Sequence, residues 1–328
     1  MKTFKSSLLI AILGLSLALI MGGLHAFYIV ALLAILEISL SFDNAVVNAK
    51  ILENMEKKWQ DRFITWGIPV AVFGMRFLFP ILIVSVASGL STMETFQMAL
   101  HDPTSYHHTL HSVEKLIYAF GGAFLMMVFL HFIFETDREE KWISIIEESQ
   151  VLGRMGEMKS IQMMITTAIG IGLVGTTQSY QIALAYFSGI LLYSLIASLD
   201  ELLNLDGIRS GVMGFLYLEI LDASFSFDGV IGAFALSSDI FIIMIGLGIG
   251  AMFVRSLTLY MLEQKTLAEY RYLEHGAHYA IFALSVIMLA EIFVSIDEMV
   301  VGTIGVLFIA VATYHSIQAN KDAKIPLK

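Results

Sequence analysis

Seven carboxylates stand in stretches that are otherwise apolar: Glu37, Asp43, Glu219, Asp222, Asp228, Glu291 and Asp297. Two of the strings that carry them repeat one another. Glu37-Ile38-Ser39-Leu40-Ser41-Phe42-Asp43-Asn44 and Asp222-Ala223-Ser224-Phe225-Ser226-Phe227-Asp228-Gly229 share one pattern. It reads acid, any residue, Ser, large apolar, Ser, Phe, Asp, then a small or turn-forming residue. A looser third copy runs from Glu291 to Asp297 and keeps the acid spacing and Ser295. An ionised carboxylate at the centre of a bilayer costs about 2.5–3.5 kcal/mol on insertion scales. A set of this size therefore needs partners, a water-filled cavity or a bound cation. Arg76 and Arg255, also in apolar segments, can offset part of the charge.

The donors in these strings are carboxylate, hydroxyl, amide and carbonyl oxygens. Hard oxygen donors suit Mn2+, Ca2+ or Mg2+ rather than copper or zinc. Six residues on a regular helix turn through about 600°, which leaves Glu37 and Asp43 about 120° apart, facing different neighbours. Asp43 shares a face with Ser39, and Asp228 with Ser224, four residues away in each case. Glu219, Asp222 and Ser226 form another stripe. Two arrangements satisfy this spacing: local unwinding near Asn44 and Gly229, or a helix that serves two adjacent sites. His131 and Glu135, one turn apart, are candidates for a second metal position or a gate.

The elements that must carry these residues follow from hydropathy. The 328 residues are 57% hydrophobic and 15% charged, with a mean hydropathy of +0.78. Soluble domains carry about 25% charged residues, so the fold class is all-α, a polytopic membrane helix bundle. Spans need about 20 mostly apolar residues. Ten are predicted, at 6–23, 26–51, 63–88, 115–134, 161–177, 180–199, 211–236, 239–261, 277–296 and 299–317. Lys2 and Lys5 ahead of the apolar run 7–21 resemble a signal peptide, but no small-residue cleavage site is evident. The reading is a retained first helix.

Basic residues orient the bundle. Lys2, Lys5, Lys50, Lys57, Lys58, Arg62, Arg138, Lys141, Arg154, Lys159, Arg209, Lys265, Arg271, Lys321, Lys324 and Lys328 fall on one side of a ten-span topology. Both termini are then cytoplasmic. The opposite segment 89–113 has no Lys or Arg but carries His101, His107, His108 and His111; it reads as an exposed polar loop. Ten spans split into two membrane repeats, 1–179 and 180–328, of five helices each, so matching helices run antiparallel. Glu37 matches Asp222, Arg76 matches Arg255, and Tyr118 matches Tyr279, at offsets of 185, 179 and 161 residues.

Several function classes are excluded or disfavoured. The formal charge of −10 does not suit a nucleic-acid partner. With no cysteine there is no disulfide, thiolate metal site or cysteine nucleophile. No nucleophile–base constellation stands out, so the chain is not read as an enzyme, and no prosthetic group is called for.

At the repeated acids the chain resembles the TerC family of integral membrane proteins. The family's early Glu-x-Ser-Leu-x-x-Asp-Asn-Ala segment is matched by Glu37, Ser39, Leu40, Asp43, Asn44 and Ala45. Its later Glu-x-x-Asp-x-x-Phe-x-x-Asp segment is matched by Glu219, Asp222, Phe225 and Asp228, and its arginines by Arg76 and Arg255. Where the family usually continues with Ser, Ile and Pro, this chain has Gly229-Val230-Ile231. The resemblance implies divalent metal handling, chiefly manganese efflux, and an association with tellurite resistance. The expectation is an inner-membrane bacterial transporter working by alternating access. Its ion is held by Glu37, Asp43, Asp222 and Asp228, with Asn44, Ser39, Ser41, Ser224 and Ser226 completing the shell. Glu219 shares the Asp222 stripe, and Glu291 and Asp297 serve as a flanking ligand or a proton-coupling carboxylate. The partners are the lipid bilayer and the metal ion. The competing expectations are a proton-coupled transporter of another solute, such as a cationic amino acid, and a membrane protein that aids metal delivery without net flux.

Overall fold

The computed structural model describes residues 4–322 apart from 136, 137, 139, 159, 204–210, 212–213, 223–232, 234–235, 238, 265 and 297. Among the described residues the fold is all-α with no strand. Five helices are long and apolar enough to cross a membrane: Lys5–Leu40, Pro103–Ile133, Tyr180–Ser198, Ile240–Gln264 and Leu273–Glu291. The shorter apolar helices Arg76–Ser88 and Ile161–Thr177 add to these. The chain forms two compact units. One contains residues 1–114 and 204–264, the other 115–203 and 265–328. Each unit thus draws on both halves of the sequence.

In the first unit, α1 (Lys5–Leu40) takes in the first predicted span and the larger part of the second, joined across a kink at Gly22 and Gly23. Gly23 has φ +67°, the left-handed region in which a side chain is strained. The N-terminal part of α1 exposes Leu8, Leu9, Ile12, Leu13, Ile20 and Leu24, the surface of a helix whose solvent is lipid rather than water. α2 (Phe42–Glu53) follows after the single residue Ser41. α3 (Lys57–Pro69) then passes into a π-helical stretch, Val70–Leu78, and on to α4 (Phe79–Ser88). Pro80 has no N–H to close an α-type bond onto the Arg76 carbonyl, and the Phe79 N–H reaches back five residues to Gly74. The wide turn at Arg76 has that local cause.

Segment 89–113 corrects the loop expectation. Gly89, at φ +75°, ends α4, and Ser91 and Glu94 form a reciprocal cap that starts α5 (Thr92–His101). Asp102 accepts from the Ser105 N–H at the start of α6 (Pro103–Ile133), twelve residues earlier than the predicted span. The histidines therefore sit on helices, with His111 Nδ1 2.5 Å from the Glu114 carboxylate.

The unit is closed by α11 (Ile240–Gln264), after α7 (Ser144–Glu147), α8 (Gln150–Gly156), α9 (Ile161–Thr177) and α10 (Tyr180–Leu203) of the other unit. α11 lies along α1 on small residues. A methyl group on Gly246 would lie 2.5 Å from Leu33 Cβ, and one on Gly250 would overlap Glu37. Ser7 fixes the far end by donating to the Met252 carbonyl at 2.8 Å. Ala18, Ala26, Val30, Ala34 and Ile249 fill the seam. Leu52, Met55, Phe63 and Leu218 form a second buried cluster.

The second unit packs the remainder of α6 against α13 (Leu273–Glu291), which follows the short α12 (Thr266–Glu269). Ser285 donates to the Gly122 carbonyl at 2.7 Å, and Phe129 stacks on Phe282 with ring centres 4.5 Å apart. α14 (Glu298–Asp322) crosses α13 at Gly276, where Ala312 and the Phe308 carbonyl leave no room for a side chain. Tyr186 of α10 donates to the Thr166 carbonyl of α9 at 2.8 Å.

Candidate functional site

The first unit brings the leading acids of the two repeated strings onto one arginine. Arg76 Nη2 donates to Glu37 Oε1 at 2.5 Å, and Arg76 Nη1 donates to Asp222 Oδ2 at 3.1 Å. The Arg76 and Glu37 side chains are each 1% exposed and that of Asp222 is 14% exposed. Three elements converge here: the end of α1, the π-helical turn and the helical stretch 214–222. Gly250 sets the position of Glu37, because without a Cβ α11 can approach this turn of α1 closely. Ser41 Oγ donates to Glu37 Oε1 at 2.9 Å, and Asn44 Nδ2 donates to Asp222 Oδ1 at 2.6 Å. Charge-assisted bonds of this kind are the strong ones.

A cavity of about 10 Å³ adjoins the bridge, lined by Asn48, Phe63, Arg76, Glu219, Asp222, Ala251, Val254, Arg255 and Thr258. That is space for roughly one water-sized centre. Arg255 approaches Glu219 at 4.0 Å and stacks over the Phe63 ring at 3.9 Å. Glu37 Oε2, Asn44 Oδ1, Asn48 Oδ1 and Glu219 Oε1 are buried and make no hydrogen bond. Four carboxylates (Glu37, Asp43, Glu219, Asp222) accompany two guanidinium groups in this region, a formal excess of negative charge when all are ionised. Such a cluster, rich in acceptors and short of donors, is chemically suited to a hard cation or a donor-bearing solute.

The predicted residues divide into five groups. Glu37, Ser41, Asn44 and Asp222 are joined in the network, and Glu219 lines the adjoining cavity. Asp43 is buried and accepts from the Asn44 N–H at 2.9 Å. Ser39 turns away from the network and donates to the Ile35 carbonyl at 2.9 Å. Glu291 is half-buried at the end of α13, in the second unit. Asp228, Ser224, Ser226 and Asp297 lie outside the described residues.

Among the described residues no three His, Asp or Glu side chains are gathered as a metal cluster, because Arg76 stands between Glu37 and Asp222. Nor is the chain unwound at Asn44. α2 runs through it, and the only departure is at Ser41 (φ −104°, ψ 17°), with the bonds Ser41 N–H to Glu37 O and Ala45 N–H to Ser41 O kept on either side. His131 and Glu135 are both exposed. Asn48 was missed. Its signal was its place four residues after Asn44, on the same helix face.

The second unit holds another buried carboxylate. Glu147 accepts from the Trp142 N–H (3.2 Å), the Ile143 N–H (3.3 Å) and the Tyr279 hydroxyl (3.1 Å), and pairs with His275 Nε2 at 3.2 Å. His275 Nε2 also faces the Glu140 carbonyl at 3.0 Å. With two acceptors before it, that nitrogen carries the proton. Arg138 stands 3.9 Å away. Burial opposes ionisation of Glu147, but the His275 and backbone hydrogen bonds prevail and hold the carboxyl below its usual range.

The sequence pattern of a family described as "Protein of unknown function (DUF475)" matches residues 42–323. No curated protein and no solved structure matches the chain.

Proposed function

The chain belongs to the DUF475 family, and we propose that it is a multi-pass membrane transporter of a divalent metal cation. Mn2+ leads as substrate, with Ca2+ and Mg2+ as alternatives of the same chemistry. The observation that carries the reading is the Arg76 bridge, which draws the first acids of two repeated strings, 146 residues from Arg76 in one case, into a single buried network. Structural ion pairs rarely leave acceptors unsatisfied, yet this network and the cavity beside it retain four. Oxygen-only donors favour a hard cation, and the resemblance of the acid strings to those of the TerC family favours manganese efflux.

The proposed architecture is ten spans in two inverted repeats, 1–179 and 180–328, set in a bacterial inner membrane with both termini cytoplasmic. The composition of the compact units supports it. One unit holds Glu37 and Arg76 together with their counterparts Asp222 and Arg255, and the other holds Tyr118 together with Tyr279. Inverted repeats of this kind suit alternating access. No covalent chemistry is involved, so the protein is a carrier and not an enzyme.

The test is Mn2+ flux into proteoliposomes containing the full-length protein, with Ca2+, Mg2+ and Zn2+ as competitors. Asp43→Asn and Asp222→Asn are expected to lower flux at least 100-fold while leaving helical content unchanged. Wild-type protein that carries none of these ions ends the reading. A second reading has its own support: a site that already holds a guanidinium between two carboxylates also fits an arginine-like solute. Flux of labelled arginine without metal flux selects that reading.

A further inference from the structure

The arginine at the centre of the network raises a difficulty for any cation that is to bind there. Arg76 remains protonated at any physiological pH, so it cannot give up Glu37 and Asp222 by losing a proton. A divalent ion placed beside it in a poorly hydrated cluster would meet strong repulsion. Both cannot occupy the carboxylates at once. The buried oxygens nearby present the opposite difficulty. Asn48 and Glu219 are 3% and 6% exposed, both line the cavity that Arg76 and Asp222 also line, and Asn48 Oδ1 and Glu219 Oε1 make no hydrogen bond. Glu219 Oε1 meets Arg255 Nη2 only at 4.0 Å, and buried acceptors short of hydrogen-bond donors are costly; a hard cation answers them directly.

We propose that Arg76 is a tethered counter-ion that alternates with the cation on Glu37 and Asp222, and that Asn48 and Glu219 supply the additional oxygens the cation gains when the guanidinium swings away. This rests on the transport reading above and adds to it a residue, Asn48, and an exchange step. No covalent bond is made or broken: a divalent cation replaces the guanidinium on the same carboxylates, and the exchange lowers the cluster's formal negative excess by one charge. The π-helical turn at Arg76 gives the side chain a route. Moving that turn by one residue rotates a side chain by about 100°, and π turns are frequent at functional sites.

The experiment titrates purified full-length protein with MnCl2, follows the thermal midpoint, and measures Mn2+ flux on the same proteins. Ligand that binds the folded state raises the midpoint with concentration. For Arg76→Ala the Mn2+ concentration giving half the stabilisation is expected to fall at least tenfold, with flux also falling because nothing displaces the bound ion. Millimolar guanidinium ion should raise that concentration again in Arg76→Ala and leave wild type unmoved, a response that loss of a merely structural arginine would not give. Asn48→Ala should raise the half-stabilising concentration at least fivefold without changing the metal-free midpoint. If Arg76→Ala does not fold, Arg76→Lys is expected to lie between it and wild type. Mn2+ binding by the Arg76 variants no tighter than wild type, with wild-type flux intact, overturns the exchange step alone. An unchanged Asn48→Ala removes the ligand assignment. Wild-type protein that neither binds nor carries Mn2+ removes the transport reading along with it.

Discussion

Both compact units bury a carboxylate near an arginine, and the two carboxylates are treated in opposite ways. Glu147 in the second unit accepts two backbone N–H groups and the Tyr279 hydroxyl and pairs with His275, while Arg138 stands 3.9 Å off. Its lone pairs are used. Glu37 in the first unit shares one oxygen between Arg76 and Ser41 and leaves the other with no hydrogen bond, and the neighbouring Asn44, Asn48 and Glu219 each leave an acceptor likewise. A saturated carboxylate acts as a staple, holding segment 140–147 to α13. An unsaturated one, beside a cavity, retains the capacity to bind. The difference lies in the donors around each acid, not in burial, since both side chains are 1% exposed.

This contrast can be broken by substitution. The largest effect is expected from Glu147→Ala. It strands His275, Tyr279 and two backbone donors, and loss of one partner from a buried network costs about 3–5 kcal/mol. Thermal unfolding in detergent should show that loss, while the protein that remains folded transports normally. If Glu147→Ala abolishes flux without lowering stability, the assignment of staple and site is reversed.

A smaller stability effect with a larger functional one is expected from Gly250→Ala. The added methyl overlaps Glu37 and lies 2.9 Å from the Ala34 carbonyl, and overpacking of this kind costs about 1–3 kcal/mol. Because relief comes from moving Glu37 away from Arg76, flux should fall further than stability does. A variant with wild-type flux would show that the approach of α11 does not set the site.

The smallest effect is a pH dependence confined to the second unit. The folded state holds the Glu147 carboxyl below its ordinary value of 4.5. Its contribution to stability is therefore fully present above about pH 4.5 and is lost as pH falls through the lower, folded-state value. The thermal midpoint of wild type should fall toward that of Glu147→Ala between pH 5 and pH 3. A constant difference across that range would mean that Glu147 does not titrate as a paired carboxylate.

Much of the scaffold was legible from local pattern. The apolar run 161–177 is helix α9 to the residue, and the break between the first two predicted spans falls at Gly22 and Gly23. Segment 89–113 was misread although its signals are local too. Ser91-Thr92-Met93-Glu94 is a capping box and Asp102-Pro103 a helix start, but their polar and histidine-rich surroundings outweighed them. Unwinding at Asn44 was one of two arrangements that the spacing of the acids left open. The helix instead keeps its hydrogen bonds there and departs only at Ser41. Glu147 could not be found by pattern, because an acid in a run of surface acids carries no mark of burial.

The sequence by itself determined that this is an all-helical chain with segments of membrane length, and that costly acids recur in a repeated string with arginines placed in the helices that follow. These are properties of composition and spacing, which act over a few turns of helix. Which acids meet was decided only by tertiary structure. Arg76 takes Glu37, 39 residues away, and Asp222, 146 residues away. That choice depends on a glycine that lets two helices touch and on a proline that widens one turn. Ion pairing between helices is settled by packing, and packing is not written into the period of any single helix.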